Sequence, residues 1–135
     1  VQSQMDSHGE AFEDVPDERS GALLALEDGV KMVTTDSQNA HRDTQLKITG
    51  TDGQIELRPA FHGKAKLHLS RNETTVTVEH ENFDAEDEMR EEFDYFADRV
   101  LTDAEIVPDG RHGLQDMRII RAIHEAAESS DVVEL

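Results

Sequence analysis

The chain has 135 residues, no cysteine, and 31 acidic against 13 basic residues, a formal net charge of −18 at pH 7. This excludes a disulfide framework, a cysteine nucleophile and a thiolate metal site. It also argues against nucleic acid and anionic lipid as partners, because binding a polyphosphate needs clustered Lys and Arg. The length suits a single domain, residues 1–135, with one core, kept lean by a hydrophobic content of 36%. No apolar run reaches the length of a bilayer span, so no membrane association and a soluble, cytoplasmic protein are expected.

Residues 1–5 read as a short strand and residues 6–19, interrupted by Gly9 and Pro16, as a loop. The apolar run Gly21–Leu26, the turn Glu27-Asp28-Gly29 and the segment Val30–Thr35 form a first hairpin. A polar crest over 36–43 follows, then a second hairpin over 46–57. There Leu46 and Ile48, and Ile55 and Leu57, alternate with polar residues around Gly50-Thr51-Asp52-Gly53. Period-two alternation places one face of each strand on a core, and Asp-Gly is a strong hairpin signal. A third hairpin pairs 65–70 with 74–79 across a turn at 71–73, the second strand rich in β-branched residues.

At Asp84, a plausible N-cap, the period changes to 3.6. Met89, Phe93, Phe96 and Val100 recur at helical spacing and predict an amphipathic helix over about 85–101. Pro108-Asp109-Gly110 separates it from a second helix over about 113–128, whose expected buried stripe is Leu114, Met117, Ile120, Ile123 and Ala127. Val132-Val133 are read as a last edge strand. Strands followed by helices argue an α+β fold, a mainly antiparallel sheet with two helices packed on one face.

Seven histidines (His8, His41, His62, His68, His80, His112 and His124) invite a metal reading, but no pair has the compact spacing of a helical zinc site, so no metal is expected. The runs Glu86-Asp87-Glu88 and Glu91-Glu92 are read as a solvated helix face. There is no calcium loop, no nucleophile elbow and no glycine-rich phosphate loop, so no catalytic residue is assigned. His41 and Arg42 stand out on the polar crest between two strands. A guanidinium there can grip a carboxylate or phosphate at two points, or pair with a local acid. They are the candidate substrate contacts.

The motif series as a whole resembles a known family. Ile48-Thr49-Gly50-Thr51-Asp52-Gly53-Gln54-Ile55-Glu56-Leu57 is similar to a hairpin in the C-terminal domain of the glucose–fructose oxidoreductase / inositol dehydrogenase (Gfo/Idh/MocA) family. Ala25-Leu26-Glu27-Asp28-Gly29 resembles its preceding strand and turn, and Phe93-Asp94-Tyr95-Phe96 its helix. Gly113-Leu114, then Ile119 through Ala127, then Val133-Glu134-Leu135 resemble its terminal segment. Ala126 and Ser130 stand where serine and glycine are usual, and His124 where an aromatic is usual.

The resemblance implies a two-domain, NAD(P)-dependent dehydrogenase of sugars or polyols. An N-terminal Rossmann domain would bind NAD or NADP, and the catalytic lysine and Asp/His pair would lie upstream of the residues here. This chain would be the C-terminal sheet portion, binding no cofactor and turning over no substrate by itself. Its expected partners are that missing Rossmann domain of the same protein and a second copy, joined as a dimer through the open sheet face. Val30, Met32, Leu67, Leu69, Val76 and Val78 are the strand apolars available for this. Only four lysines stand beside nine arginines. Acid-rich, lysine-poor composition resembles that of halophilic proteins, in which salt screens self-repulsion. The alternative is a stand-alone acidic α+β binding module without catalysis that docks a basic partner. A sugar-binding domain without catalysis is a third reading.

Overall fold

A computed structural model describes residues 1–7, 18–61, 65–71, 74–79 and 85–135. Seven strands precede two helices: β1 (Gln2–Asp6), β2 (Arg19–Ala25), β3 (Lys31–Ser37), β4 (Leu46–Thr49), β5 (Gln54–Arg58), β6 (Lys66–Arg71), β7 (Thr74–Glu79), α1 (Ala85–Thr102) and α2 (Gly110–Ser129). The α+β class and the three hairpins are as expected. The strands divide into two antiparallel sheets, β1-β2-β3 and β4-β5-β6-β7. The chain forms two compact units, one of residues 1–41 with 107–135 and the other of residues 42–106. Among the described residues neither helix is long and apolar enough to cross a membrane.

In the first unit, β2 is central and Arg19–Ala25 pairs along its whole length with Lys31–Ser37. The turn between them is closed by Leu26 N–H on Val30 O (2.9 Å) and Gly29 N–H on Leu26 O (3.0 Å), with Gly29 at φ 78°. That left-handed conformation suits glycine, which has no Cβ to clash. The expected loop over 6–19 is corrected at both ends. Asp6 closes β1 and Arg19 opens β2 opposite it, and their side chains meet at 2.6 Å. Residues 8–17 of that loop lie outside the described residues.

Helix α2 packs on β1, with the Ser3 hydroxyl donating to Ile123 O. The buried stripe differs from the expected one. Ala122 and Ala126 are buried and Ile119, Ile123 and Ala127 half-buried, whereas Leu114, Met117 and Ile120 are exposed. Both stripes have helical spacing and share Ile123 and Ala127. Small alanine side chains let the helix backbone approach β1 closely. The expected edge strand at 132–133 is not formed, because only Val133 pairs, exchanging both backbone bonds with Val1 (2.7 and 3.0 Å).

Helix α2 starts at Gly110, three residues earlier than expected, because the turn residue Asp109 is its N-cap. The Asp109 carboxylate accepts from the N–H groups of Arg111 (2.9 Å) and His112 (3.0 Å), and Nδ1 of His112 lies 3.2 Å from the Asp109 N–H, completing a capping box. The His112 N–H first, then its ring, hold the Asp109 carboxyl below its ordinary pKa, with the Arg111 N–H adding to them and burial opposing. The expected N-cap of α1, Asp84, lies outside the described residues.

In the second unit, Gly50–Gly53 joins β4 to β5 as expected, with Gly50 N–H on Gly53 O at 2.8 Å. Gly53 is required by close approach, since a Cβ there would collide with the Ser70 carbonyl oxygen of β6. Ala60 is fully buried and its N–H donates to Thr44 O at 2.9 Å. Helix α1 ends at Asp103, in the left-handed region (φ 53°).

Two predictions follow from these contacts. Gly53→Ala forces β5 away from β6 and lowers stability by about 2 kcal/mol in urea unfolding; an unchanged midpoint contradicts the contact. A carboxylate with a depressed folded pKa contributes stability above its unfolded pKa and loses it as pH falls through the folded value. The Arg111 and His112 amide signals should therefore shift and lose protection on acidification from about pH 5 to about pH 2. Asp109→Asn keeps an N-cap acceptor and abolishes this titration.

Candidate functional site

The sequence-derived candidates His41 and Arg42 lie between β3 and β4, both exposed. Neither side chain makes a hydrogen bond or ion pair among the described residues. His41 ends the first segment of one unit and Arg42 opens the other. In the first unit, the approach to His41 is held at Glu18. Its main-chain oxygen accepts from Gln38 N–H at 2.9 Å and its Oε2 accepts from Asn39 Nδ2 at 3.1 Å. In the second unit, the residue after Arg42 is held by a two-point pair. Arg58 donates from Nε to Asp43 Oδ1 at 3.1 Å and from its terminal nitrogen to Asp43 Oδ2. Two parallel charge-assisted bonds fix direction as well as distance.

Other candidates are not brought together. Among the described residues no group of three or more His, Asp or Glu side chains is placed to hold a metal ion. His112 belongs to the cap of α2. His124 is half-buried on α2 and His68 half-buried on β6, both with interaction partners. His8, His62 and His80 lie outside the described residues.

The second candidate surface was only partly legible. Cross-strand partners share a face, and the register places Ile48 opposite Ile55, Ile55 opposite Leu69 and Leu69 opposite Val76. Leu46 lies opposite Leu57, and Leu57 opposite Leu67. Seven apolar side chains of β4–β7 therefore occupy one face, and six of them are exposed, from Leu67 at 38% to Ile48 at 59%. The opposite face carries Lys47, Glu56 and His68 in one row and Thr49, Gln54, Ser70 and Thr75 in the next. Gln54, Glu56, His68 and Ser70 are half-buried, so the apolar face is the more open of the two. Contiguous exposed apolar surface of this kind marks an interaction site. Of the apolar residues singled out from the sequence, Leu67, Leu69 and Val76 belong to it. Val30 lies in the β2–β3 turn and Met32 on β3 of the other sheet.

Residues 2–135 match the family described as oxidoreductase family, C-terminal alpha/beta domain (Gfo/Idh/MocA). The chain is 41% identical over 137 aligned residues to a D-xylose 1-dehydrogenase [NADP(+)] of Haloarcula marismortui, covering all of this chain and 37% of that protein. It is 31% identical over 123 residues to D-xylose 1-dehydrogenase (NADP(+)) 2 of Haloferax volcanii, covering 88% of this chain and again 37% of the relative. The fold superposes on the aldose-aldose oxidoreductase of Caulobacter crescentus, solved with glycerol, with a TM-score of 0.86 at 19% identity, over 99% of this chain and 40% of that one. The chain thus spans well under half the length of the relatives it matches. It belongs to the Gfo/Idh/MocA oxidoreductase family and has the fold of that family's C-terminal domain.

Proposed function

We propose that this chain is the C-terminal substrate and oligomerisation domain of an NAD(P)-dependent sugar dehydrogenase, with an aldose of the D-xylose type as substrate and NADP as cofactor. The observation that carries this reading is the 41% identity to an NADP-linked D-xylose 1-dehydrogenase along the whole chain. The net charge of −18 and the relatives in Haloarcula and Haloferax support adaptation of the surface to high salt.

On this reading the glycine-rich Gly50–Gly53 loop is a strand connection and not a phosphate cradle. The Gly50–Gly53 loop joins antiparallel strands, and the space a phosphate would need at Gly53 is taken by the Ser70 carbonyl. A phosphate cradle instead opens the N-terminus of a helix after a parallel strand. Cofactor binding is accordingly assigned to an N-terminal Rossmann domain of the longer protein. The cofactor supplies the hydride chemistry, and this domain's task is to orient the sugar and exclude water. His41 and Arg42 are assigned to the sugar. Both are exposed and uncommitted, and both offer N–H donors to hydroxyl oxygens. The apolar face of β4–β7 is assigned to a second copy, since an isologous contact needs only self-complementarity.

The test is sugar-dependent NADP reduction by the full-length protein in molar KCl. Reduction with D-xylose is expected. No reduction with any aldose, together with capture of a basic partner by this chain, would support the acidic binding module instead. Arg42→Ala should raise the sugar KM about tenfold or more by loss of charged hydrogen bonds; an unchanged KM removes Arg42 from the site. Leu69→Lys, at the centre of the apolar face, should convert a dimer to a monomer in light scattering. Persistence of the dimer places the contact elsewhere.

A further inference from the structure

Glu18 is the one charged side chain among the described residues with no exposed surface. A carboxylate removed from water is destabilising unless its oxygens are satisfied, and an apolar side chain of the same volume would often hold a hairpin as well or better. Its placement suggests why a polar group is used here. The β2–β3 ladder ends at Arg19 opposite Ser37. The main chain of Glu18 extends the pairing by one bond, to Gln38. Its side chain then reaches past the ladder to Asn39 Nδ2, which backbone pairing alone does not hold. The bond is directional, so it sets the course the chain takes on leaving β3. Two residues later that course delivers His41, exposed and uncommitted.

We propose that Glu18 is a positioning residue: through its bond to the exposed Asn39 it fixes the exit of the chain from β3 and hence the place of His41 against the sugar. This rests on the assignment of His41 to the substrate made above. The role asks only for an acceptor oxygen within reach of Asn39, so a glutamine fills it and a leucine does not.

The experiment compares Glu18→Leu, Asn39→Leu, their double variant and Glu18→Gln in the full-length protein, by steady-state kinetics and by amide exchange over residues 38–41. Glu18→Leu and Asn39→Leu should each raise the sugar KM about tenfold through the lost hydrogen bond, with the cofactor KM unchanged. The double variant should be no worse than either single one, because both remove the same bond. Glu18→Gln should restore the wild-type sugar KM. Should the leucine variants unfold, Asn39→Ser shortens the donor at an exposed position and reads the same bond. An unchanged sugar KM in every folded variant overturns the proposal and leaves Glu18 as a hairpin staple. Amide exchange needs no turnover and separates the two layers. Exchange over 38–41 that does not accelerate in Asn39→Leu overturns the anchor itself. Accelerated exchange in a protein that reduces no NADP with any sugar overturns the substrate assignment on which the proposal rests.

Discussion

Ile48 faces Ile55 across one strand pair, Ile55 faces Leu69 across the next, and Leu69 faces Val76 across the last. This register is the constraint on which the second unit depends. A slip of one residue in any pair would send that strand's apolar set to the opposite face. Gly53 guards the register at the loop end, since it alone lets β5 close on the Ser70 carbonyl. The consequence is a sheet with one apolar and one polar face, and the apolar one is open. In a chain carrying 31 acidic residues, such a surface is where association can proceed without bringing like charges together.

The first unit solves a different problem with different residues. Its sheet has three strands, and a helix packed against so small a sheet adds to its stability. Small residues let α2 provide that cover. Ala122 and Ala126 are the buried residues of α2, which packs on β1, so the contact is made by small side chains more than by bulk. The larger side chains of α2, Leu114, Met117 and Ile120, stay outside it. The helix is entered through a polar device, the Asp109–His112 capping box, which satisfies N–H groups that an apolar entry would leave orphaned.

Between β3 and β4 the chain uses polar bonds where apolar packing is scarce. Glu18 and Asn39 hold the residues before His41, and Arg58 and Asp43 hold the residue after Arg42. Side chains whose backbone is already ordered lose less freedom on binding, and the proposed assignment of His41 and Arg42 to the sugar draws on that.

The sequence alone determined the class of fold, the three hairpins, the two helices and the family. Period-two and period-3.6 patterns and Asp-Gly turns are local signals, and an ordered series of weak motifs is specific in combination. It also singled out His41 and Arg42 as polar residues on a crest, but not Glu18. An acidic residue in an acid-rich stretch gives no sign that it will be buried, since burial of Glu18 depends on how the chain returns at Gln38 and Asn39. Tertiary structure likewise decided which stripe of α2 is covered. Two stripes sharing Ile123 and Ala127 fit the same helical period, and only the fit of alanines against β1 distinguishes them. It decided, too, that the β4–β7 apolars share one face. Alternation states that neighbours in a strand point opposite ways, but which residues stand side by side is set by cross-strand hydrogen bonds between segments distant in the chain.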